Sequence, residues 1–186
     1  REIVGNEPFA VLLPDVLVKG KPRCLKQMTD AYAELGAGSN IIAVEEVPMD
    51  KVHMYGIVGI GKAKGNAHEI TAMVEKPARD KAPSNLSVTG RYILQPEIFK
   101  VLETQTKGAG GEIQLTDAMV TLAKQQPFFS LKFSGTSYDC GSKIGFLSAN
   151  IAYGLDRPDL GPTLREEMKR LLQYCRRRPS RKMLAV

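Results

Sequence analysis

Apolar runs and amphipathic stretches alternate along most of the chain. A continuous apolar run at 9–13 predicts a strand that is buried on both faces. Apolar residues recur at helical spacing from 22 to 35 and the pattern stops at Gly36, which predicts a helix that ends there. The β-branched segment 40–47 predicts the next strand. The first quarter of the chain therefore reads as strand, helix, strand.

The same alternation continues to the end of the chain. Further strands are predicted at 54–60 and 69–74, paired across the turn-prone segment KAKGN, and at 88–94 and 128–133. Helices are predicted at 96–104, 113–124, 143–155 and 162–174, with the breaker Arg157-Pro158 between the last two. Strands that alternate with long crossovers indicate an α/β fold with a mixed, mainly parallel sheet. Such a sheet binds its ligand beyond the carboxyl ends of the strands.

Composition limits the classes of protein that fit. The 186 residues, 43% of them apolar, are enough for one domain with a buried core, which we place at 1–174. The net charge of +6 is concentrated in 165–182, where eight Lys and Arg accompany two Glu. No aromatic residues interleave the basic cluster at 176–182, which favours a disordered, solvated tail at 175–186 over a nucleic-acid contact or an anionic-surface contact.

Other features of the composition concern location and metal binding. No apolar stretch approaches the roughly 18 residues of a membrane span, and the first residues lack the plan of a secretion signal. Three cysteines, which match no zinc spacing, indicate a reducing compartment, and we expect each to be a small buried group in a cytoplasmic protein. The cysteines are Cys24, Cys140 and Cys175. His53 and His68 are too isolated to form a histidine-based metal site.

Two aspartates follow predicted strands. Asp15 comes directly after the first apolar strand and a proline, where a carboxylate can bind a hard divalent cation that also takes phosphate oxygens. A turn cap is the alternative for Asp15. Asp139 lies between the strand that ends near Phe133 and the next helix. Asp139 is therefore either a second metal ligand or a helix N-cap.

A charged pair and a helix start are further candidates. Glu75 and Lys76 are adjacent, and Pro77 ends their strand, so that both side chains can reach one cleft. Lysine suits a phosphate and glutamate suits sugar hydroxyls, although an exposed charge pair is the alternative. The segment 111–117 follows a glycine loop and opens a helix whose amides can face an anion, or it is a plain helix start.

Six blocks of sequence occur in the order and at the spacing of a known family. They are LLPDVLV (12–18), MYGIV (54–58), VEKP (74–77), APSNL with GRYIL (82–94), GEIQLTDA (111–118) and YDCGSKIG (138–145). Over about residues 3–172, the chain resembles the carboxy-terminal two-thirds of bacterial UTP–glucose-1-phosphate uridylyltransferases, members of the sugar-1-phosphate nucleotidyltransferase superfamily. GRYIL, GEIQLTD and DCG together resemble this branch more than its thymidylyl- or adenylyltransferase relatives.

The resemblance implies a fold and a reaction. The fold is a Rossmann-like nucleotidyltransferase fold. The reaction transfers a uridylyl group from UTP to glucose 1-phosphate, giving UDP-glucose and pyrophosphate, with Mg²⁺ as cofactor. The family also implies a homo-oligomer, either a dimer or a tetramer.

The resemblance also implies roles for particular residues. Asp15 and Asp139 match the metal ligands, the latter by comparison with the wider superfamily. Glu75 and Lys76 match the pair that receives the sugar hydroxyls and the sugar phosphate, so Lys76 and Asp15 are the implied catalytic residues. The backbone-lined part of the sugar pocket matches three positions, namely Tyr55, Gly56 and Gly90.

One motif of the family does not occur in the chain. Family members begin with a strand and a glycine-rich loop of the form GxGTR that cradles the triphosphate, and no such motif occurs here. We expect a domain truncated at its N-terminus, part of a longer enzyme, and inactive alone. After about Gln173 the sequence is also unlike the family. The alternatives are a non-catalytic sugar-phosphate-binding or regulatory paralogue, or a thymidylyl- or adenylyltransferase relative.

Overall fold

A computed structural model describes residues 1–106 and 111–177, with side chains up to residue 174. The first unit, 1–137, contains these elements in order: β1 Phe9–Leu12, β2 Val16–Lys19, α1 Cys24–Leu35, β3 Asn40–Glu46, β4 Gly56–Lys64, β5 Ala67–Glu75, β6 Leu86–Leu94, α2 Ile98–Thr104, α3 Leu115–Leu122 and β7 Phe128–Lys132. The strand β8, Thr136–Asp139, leads into the second unit, 138–186, which contains α4 Lys143–Asp156 and α5 Gly161–Arg177.

The main sheet has six strands in the order β1-β6-β3-β7-β5-β4, and β4 also pairs with β6. The α/β fold and the mixed sheet are confirmed. Of the pairings in the described part of the chain, β3–β7 is parallel and the others in this sheet are antiparallel. The share of parallel strand pairings is smaller than the alternation of strands and helices predicted, because β4 and β5 form a hairpin and β6 runs antiparallel between β1 and β3. The strands β2 and β8 form a separate two-stranded sheet.

Both faces of the sheet in the first unit are covered. Successive residues of β3 point to opposite faces, and Ile41 and Ile42 are both fully buried. Helix α1 packs on the face of Ile41, whereas α2 and α3 pack on the face of Ile42. The helices contribute apolar side chains to both layers, with Met28, Ala31 and Leu35 on one face and Ile98, Met119 and Leu122 on the other. The central strand β3 is therefore buried on both faces.

The strand β1 differs from its prediction. Phe9 and Val11 are half-buried, but Ala10 and Leu12 are exposed. Among the described strands of the main sheet, β1 pairs only with β6 and so lies at an edge. The expectation of burial on both faces is wrong, because an apolar run does not show whether a neighbouring layer covers its second face.

The second unit contains two helices. The Ser142 hydroxyl accepts a hydrogen bond from the amide of Gly145 at 3.1 Å and caps α4. Helices α4 and α5 are separated near Arg157 and Pro158, as predicted. The basic tail at 178–186 and the side chain of Cys175 lie outside the described residues, so the domain boundary near residue 174 stays a prediction. No helix in the described part of the chain combines the length and apolar character needed to cross a bilayer.

The two cysteines with described side chains differ in environment. Cys24 is buried at the start of α1, and this burial raises the pKa of its thiol, while the charge of Arg91 acts in the opposite direction. Cys140 is only partly buried, so the expectation of a buried thiol there is wrong. Cys140 lies in the turn that follows the end of β8. His53 is exposed and His68 is half-buried.

Candidate active site

Asp15 lies in the turn between β1 and β2 and is exposed. Among the described residues, no donor forms a hydrogen bond or an ion pair with its carboxylate. The turn is attached to β6, because the amide of Leu13 donates to the carbonyl oxygen of Gly90 at 2.9 Å. The backbone at Asp15 is thus held against the sheet while the carboxylate stays available to a ligand.

Gly56 and Glu75 are neighbours across the β4–β5 hairpin. A Cβ atom at Gly56 would lie 3.0 Å from Oε2 of Glu75 and 3.7 Å from Cγ2 of Val88. The missing side chain at Gly56 therefore leaves room for the Glu75 carboxylate. The hydroxyl of Thr116, in the first turn of α3, donates to Oε2 of Glu75 at 3.3 Å. One carboxylate thus links the hairpin to the start of α3.

Lys76 directly follows β5 and has an unusual backbone conformation. Its φ is 45°, in the left-handed region that non-glycine residues rarely adopt. Its amide donates to the carbonyl oxygen of Tyr55 at 3.0 Å, which fixes the end of the hairpin. The strand ends at Glu75, just before Lys76 and Pro77, as the sequence predicted, and Pro77 is buried. Backbone strain of this kind, typically about 1–3 kcal/mol, occurs often at ligand sites.

Gly90 marks a close approach between β6 and the Asp15 turn. Its φ is 65°, and a Cβ atom there would lie 2.9–3.0 Å from three side-chain atoms of Leu13. Both the backbone conformation and the contact require glycine. Gly90 is buried beneath Leu13. It therefore sets how closely the turn with Asp15 approaches the sheet.

Tyr92 is a buried phenol whose pKa both carboxylates affect. Its side chain is 6% exposed on the face of the sheet that α2 and α3 cover. The pKa of Tyr92 is raised to about 12, chiefly by burial; the carboxylates of Glu75 and Asp15 also raise it, and the charge of Arg91 lowers it. Both carboxylates are therefore near the phenol, and the first unit brings Asp15, Glu75 and Tyr92 into one region. The phenol stays neutral and keeps a proton to donate.

Asp139 belongs to the second unit, at the end of β8, and is exposed. Its Oδ1 accepts a hydrogen bond from the amide of Gly141 at 3.0 Å. The hypothesis that Asp139 caps α4 is wrong, because the hydroxyl of Ser142 is the cap. The role of Asp139 as a second metal ligand stays a prediction.

The residues present fit a hard divalent cation. Among the described residues, no three His, Cys, Asp or Glu side chains come together, so a metal cage made of protein alone is not formed there. Mg²⁺ is usually held by one or two carboxylates together with waters and substrate phosphates. The exposed Asp15 carboxylate, with no protein donor among the described residues, has the required chemistry.

Three residues of this region were not identified individually from the sequence, namely Arg91, Tyr92 and Thr116. Two of them belong to the block GRYIL and the third to GEIQLTDA. An arginine inside an otherwise apolar strand was the available signal for Arg91, because buried charge requires compensating hydrogen bonds. Lys107–Gly110, most of the glycine loop before α3, lies outside the described residues.

The family assignment rests on comparison as well as on this geometry. The family model for nucleotidyl transferases matches residues 1–154, most of the chain. The chain therefore belongs to the nucleotidyl transferase family. The resemblance to the uridylyltransferase branch is also confirmed by individual relatives and solved structures.

Among those relatives is a UTP–glucose-1-phosphate uridylyltransferase of Staphylococcus epidermidis, 43% identical over 171 residues, 92% of this chain and 59% of that protein. A crystal structure of UDP-glucose pyrophosphorylase complexed with UDP-glucose is 44% identical, with a TM-score of 0.78 over 84% of this chain and 59% of that chain. A UTP-bound UGPase from Acinetobacter baumannii is 40% identical, with a TM-score of 0.77 over 92% of this chain and 58% of that one. The chain spans less than two-thirds of the length of these relatives.

Proposed function

We propose that this sequence provides the sugar-phosphate site of a UTP–glucose-1-phosphate uridylyltransferase. The reaction would transfer a uridylyl group from UTP to glucose 1-phosphate. The observation that carries the proposal is the pairing of Gly56 with Glu75, whose Oε2 lies where a side chain at Gly56 would be, directly before Lys76. The effect of both carboxylates on the pKa of Tyr92 supports a candidate metal ligand, Asp15, in the same region as a candidate sugar ligand, Glu75.

The residues of the first unit support distinct tasks in this reaction. A phosphate oxygen of glucose 1-phosphate attacks the α-phosphorus of UTP, and the bond from that phosphorus to the leaving pyrophosphate breaks. Positioning and charge neutralisation supply most of the catalysis in such a step. We assign to Lys76 the binding of the sugar phosphate, and to Glu75 the acceptance of hydrogen bonds from sugar hydroxyls. The backbone at Tyr55, Gly56 and Gly90 would line the sugar pocket.

Mg²⁺ is the proposed cofactor. Asp15 would hold it, and we assign the second ligand position to Asp139. When bound, the cation would neutralise charge on the phosphate groups of the two reactants, which otherwise repel each other. The first unit's own contribution is to hold the Asp15 turn against β6 and to leave its carboxylate exposed.

Assembly and location are the remaining parts of the proposal. We propose a cytoplasmic homo-oligomer, a dimer or a tetramer. The family resemblance supports the oligomer. The second unit also exposes large apolar side chains, including Ile144, Phe146 and Leu147. An odd number of cysteines and a substrate such as UTP support the cytoplasm.

A chimeric enzyme tests the proposed function. Residues 1–186 would replace the matching region of the S. epidermidis relative, and UDP-glucose formation from UTP and glucose 1-phosphate would be measured with Mg²⁺. We expect turnover, and we expect Asp15→Asn to reduce kcat by about 10²–10³-fold, because it removes a charge that holds the cation. Thermal unfolding should be nearly unchanged, since the carboxylate is exposed.

Asp30→Asn is the matched control. Asp30 is an exposed aspartate on α1, which packs on the opposite face of the sheet from Tyr92. This variant should keep the chimera's turnover. A folded but inactive chimera would refute the proposed function, whereas an active chimera with normal turnover in Asp15→Asn would assign Asp15 to the turn alone.

A further inference from the structure

Arg91 is a buried cation within the strand β6. Its side chain is 7% exposed. Nη1 donates to the carbonyl oxygen of Leu13 at 2.9 Å and to that of Gly90 at 3.0 Å, and Nη2 donates to the carbonyl oxygen of Val16. No carboxylate among the described residues forms an ion pair with Arg91. Backbone carbonyls alone therefore compensate this buried charge in the part of the chain that is described.

Two of these carbonyls flank the turn that carries Asp15. Leu13 precedes Pro14 and Asp15, and Val16 follows them. Pro14 has no amide hydrogen, and among the described residues no backbone hydrogen bond joins Leu13 directly to Val16 across the turn. The guanidinium of Arg91 thus donates hydrogen bonds to the backbone on both sides of the turn and links both ends of the turn to β6.

The chemistry of this contact favours arginine. A planar guanidinium presents several N–H donors in a fixed fork and can reach two acceptors at once, whereas lysine provides a single point of charge. Hydrogen bonds from a charged donor are also stronger than those from a neutral one. Because the Asp15 carboxylate has no donor of its own among the described residues, its position depends on the backbone that Arg91 holds.

We propose that Arg91 is a positioning residue that holds the Asp15 carboxylate where it binds the divalent cation. The inference rests on the proposed function, which makes Asp15 a metal ligand. Arg91 itself touches neither the cation nor the substrates. Residues that orient a metal ligand typically change metal affinity by about 10–100-fold when they are removed.

The test uses the 186-residue chain and Mn²⁺ as a paramagnetic probe. Amide signals of the ¹⁵N-labelled chain would be followed during a Mn²⁺ titration, with and without glucose 1-phosphate. In the wild type we expect broadening centred on Asp15. In Arg91→Lys the Mn²⁺ concentration at the midpoint of the titration should rise by about tenfold, and the broadening should no longer centre on the turn. Hydrogen exchange at the amides of Asp15 and Val16 should become faster.

Thr89→Val is the matched control. Thr89 lies on β6 two residues before Arg91, is buried, and donates to the carbonyl oxygen of Ala43 at 2.9 Å, away from the turn. This variant also loses a buried hydrogen bond to a backbone carbonyl, but the Mn²⁺ midpoint should not change. If Thr89→Val and Arg91→Lys shift the midpoint equally, Arg91 stabilises the fold only and the inference is wrong.

A double mutant separates this inference from the proposed function. If Arg91 acts through Asp15, then Arg91→Lys should add little to the loss seen in Asp15→Asn. A wild-type midpoint in Arg91→Lys, together with loss of binding in Asp15→Asn, would refute the role of Arg91 and leave the metal assignment intact. An unchanged Mn²⁺ midpoint in Asp15→Asn would refute both the role of Asp15 as a metal ligand and the role of Arg91 in positioning it. Turnover of the chimera would still support the uridylyltransferase function.

A measurement on the wild type covers the case in which Arg91→Lys does not fold. Scalar couplings across the hydrogen bonds, from the guanidinium nitrogens of Arg91 to the carbonyl carbons of Leu13 and Val16, should be detectable without Mn²⁺ and should persist when Mg²⁺ is added. Rapid exchange of the guanidinium protons without such couplings would overturn the inference.

Discussion

At the scale of single residues, the candidate site contains two departures from ordinary protein chemistry. Lys76 adopts a left-handed backbone conformation with φ of 45°, and Tyr92 is a buried phenol close to two carboxylates. The first strains the backbone, whereas the second makes ionisation of the phenol costly and so affects stability only in alkali. Each therefore has an effect on the free energy of unfolding that can be measured.

Replacement of Lys76 by glycine should stabilise the fold and weaken ligand binding. Glycine adopts the left-handed conformation without steric cost, so the free energy of unfolding should rise by about 1 kcal/mol. Loss of the ammonium group should weaken glucose 1-phosphate binding by about tenfold. Urea denaturation and calorimetric titration measure the two effects. Lys76→Ala is the control, since it removes the charge but keeps the strain, and it should lose affinity without the gain in stability.

The pKa of Tyr92 predicts a loss of stability in alkali. The unfolded chain ionises tyrosine near its ordinary pKa of 10.0, whereas the folded chain does so only at about 12. The contribution of Tyr92 is therefore complete below pH 10 and is lost as the pH rises through 12. Relative to the wild type, Tyr92→Phe should lose roughly 2 kcal/mol less over this interval in urea denaturation. Parallel pH profiles of the two proteins would contradict the assignment.

At the scale of elements, the site depends on how closely β6 approaches the turn between β1 and β2. Gly90 provides this approach, because Leu13 occupies the space where its side chain would be. The same strand supplies Arg91 on one face and Tyr92 on the other, so β6 holds the turn and also lines the region beside it. A change at Gly90 should therefore disturb the turn as well as the strand.

Gly90→Ala should be much more destabilising than Gly65→Ala. The two glycines have nearly equal φ values, 65° and 61°, so the backbone strain is similar, at about 1–2 kcal/mol. A Cβ atom at Gly65 would meet only the tip of the Glu34 side chain, at 3.1 Å, whereas at Gly90 it would meet Leu13 at 2.9 Å. The contact should add about 1–3 kcal/mol at Gly90. Equal losses in urea denaturation would show that Leu13 moves freely.

At the scale of the whole molecule, exposed apolar surface is the main feature. Leu12 and Leu13 lie at the end of β1, which is an edge of the main sheet among the described strands, and they are 49% and 39% exposed. The second unit exposes further apolar side chains on α4 and α5. Exposed edge strands and apolar patches promote association of folded chains.

Leu12→Lys should reduce association of the 186-residue chain. A charge on an edge strand opposes pairing with another chain, so sedimentation should show a smaller concentration-dependent increase in mass than for the wild type. Ile3→Lys is the control, because Ile3 is fully exposed near the start of the chain and outside the sheet. An equal reduction in both variants would point to general apolar surface rather than to the edge of β1.

The sequence by itself determined the kinds of elements and most of the candidate residues. Helical spacing predicted α1 to within two residues at its start, and the β-branched run predicted β3 to within one residue at its end. These signals are local, because periodicity records which side of an element is buried. The ordered motifs likewise identified Asp15, Glu75 and Lys76 as candidates without any knowledge of their positions in space.

Only the tertiary structure decided which strands are neighbours and which side chains meet. The four-residue strands β2 and β8 were not predicted, since such short segments depend on pairing with distant residues rather than on local pattern. The same applies to Arg91, whose contacts lie 75 and 78 positions away in the chain, and to Tyr92, which joins the effects of Asp15 and Glu75. Long-range pairing depends on packing between layers, and a linear pattern contains no record of it.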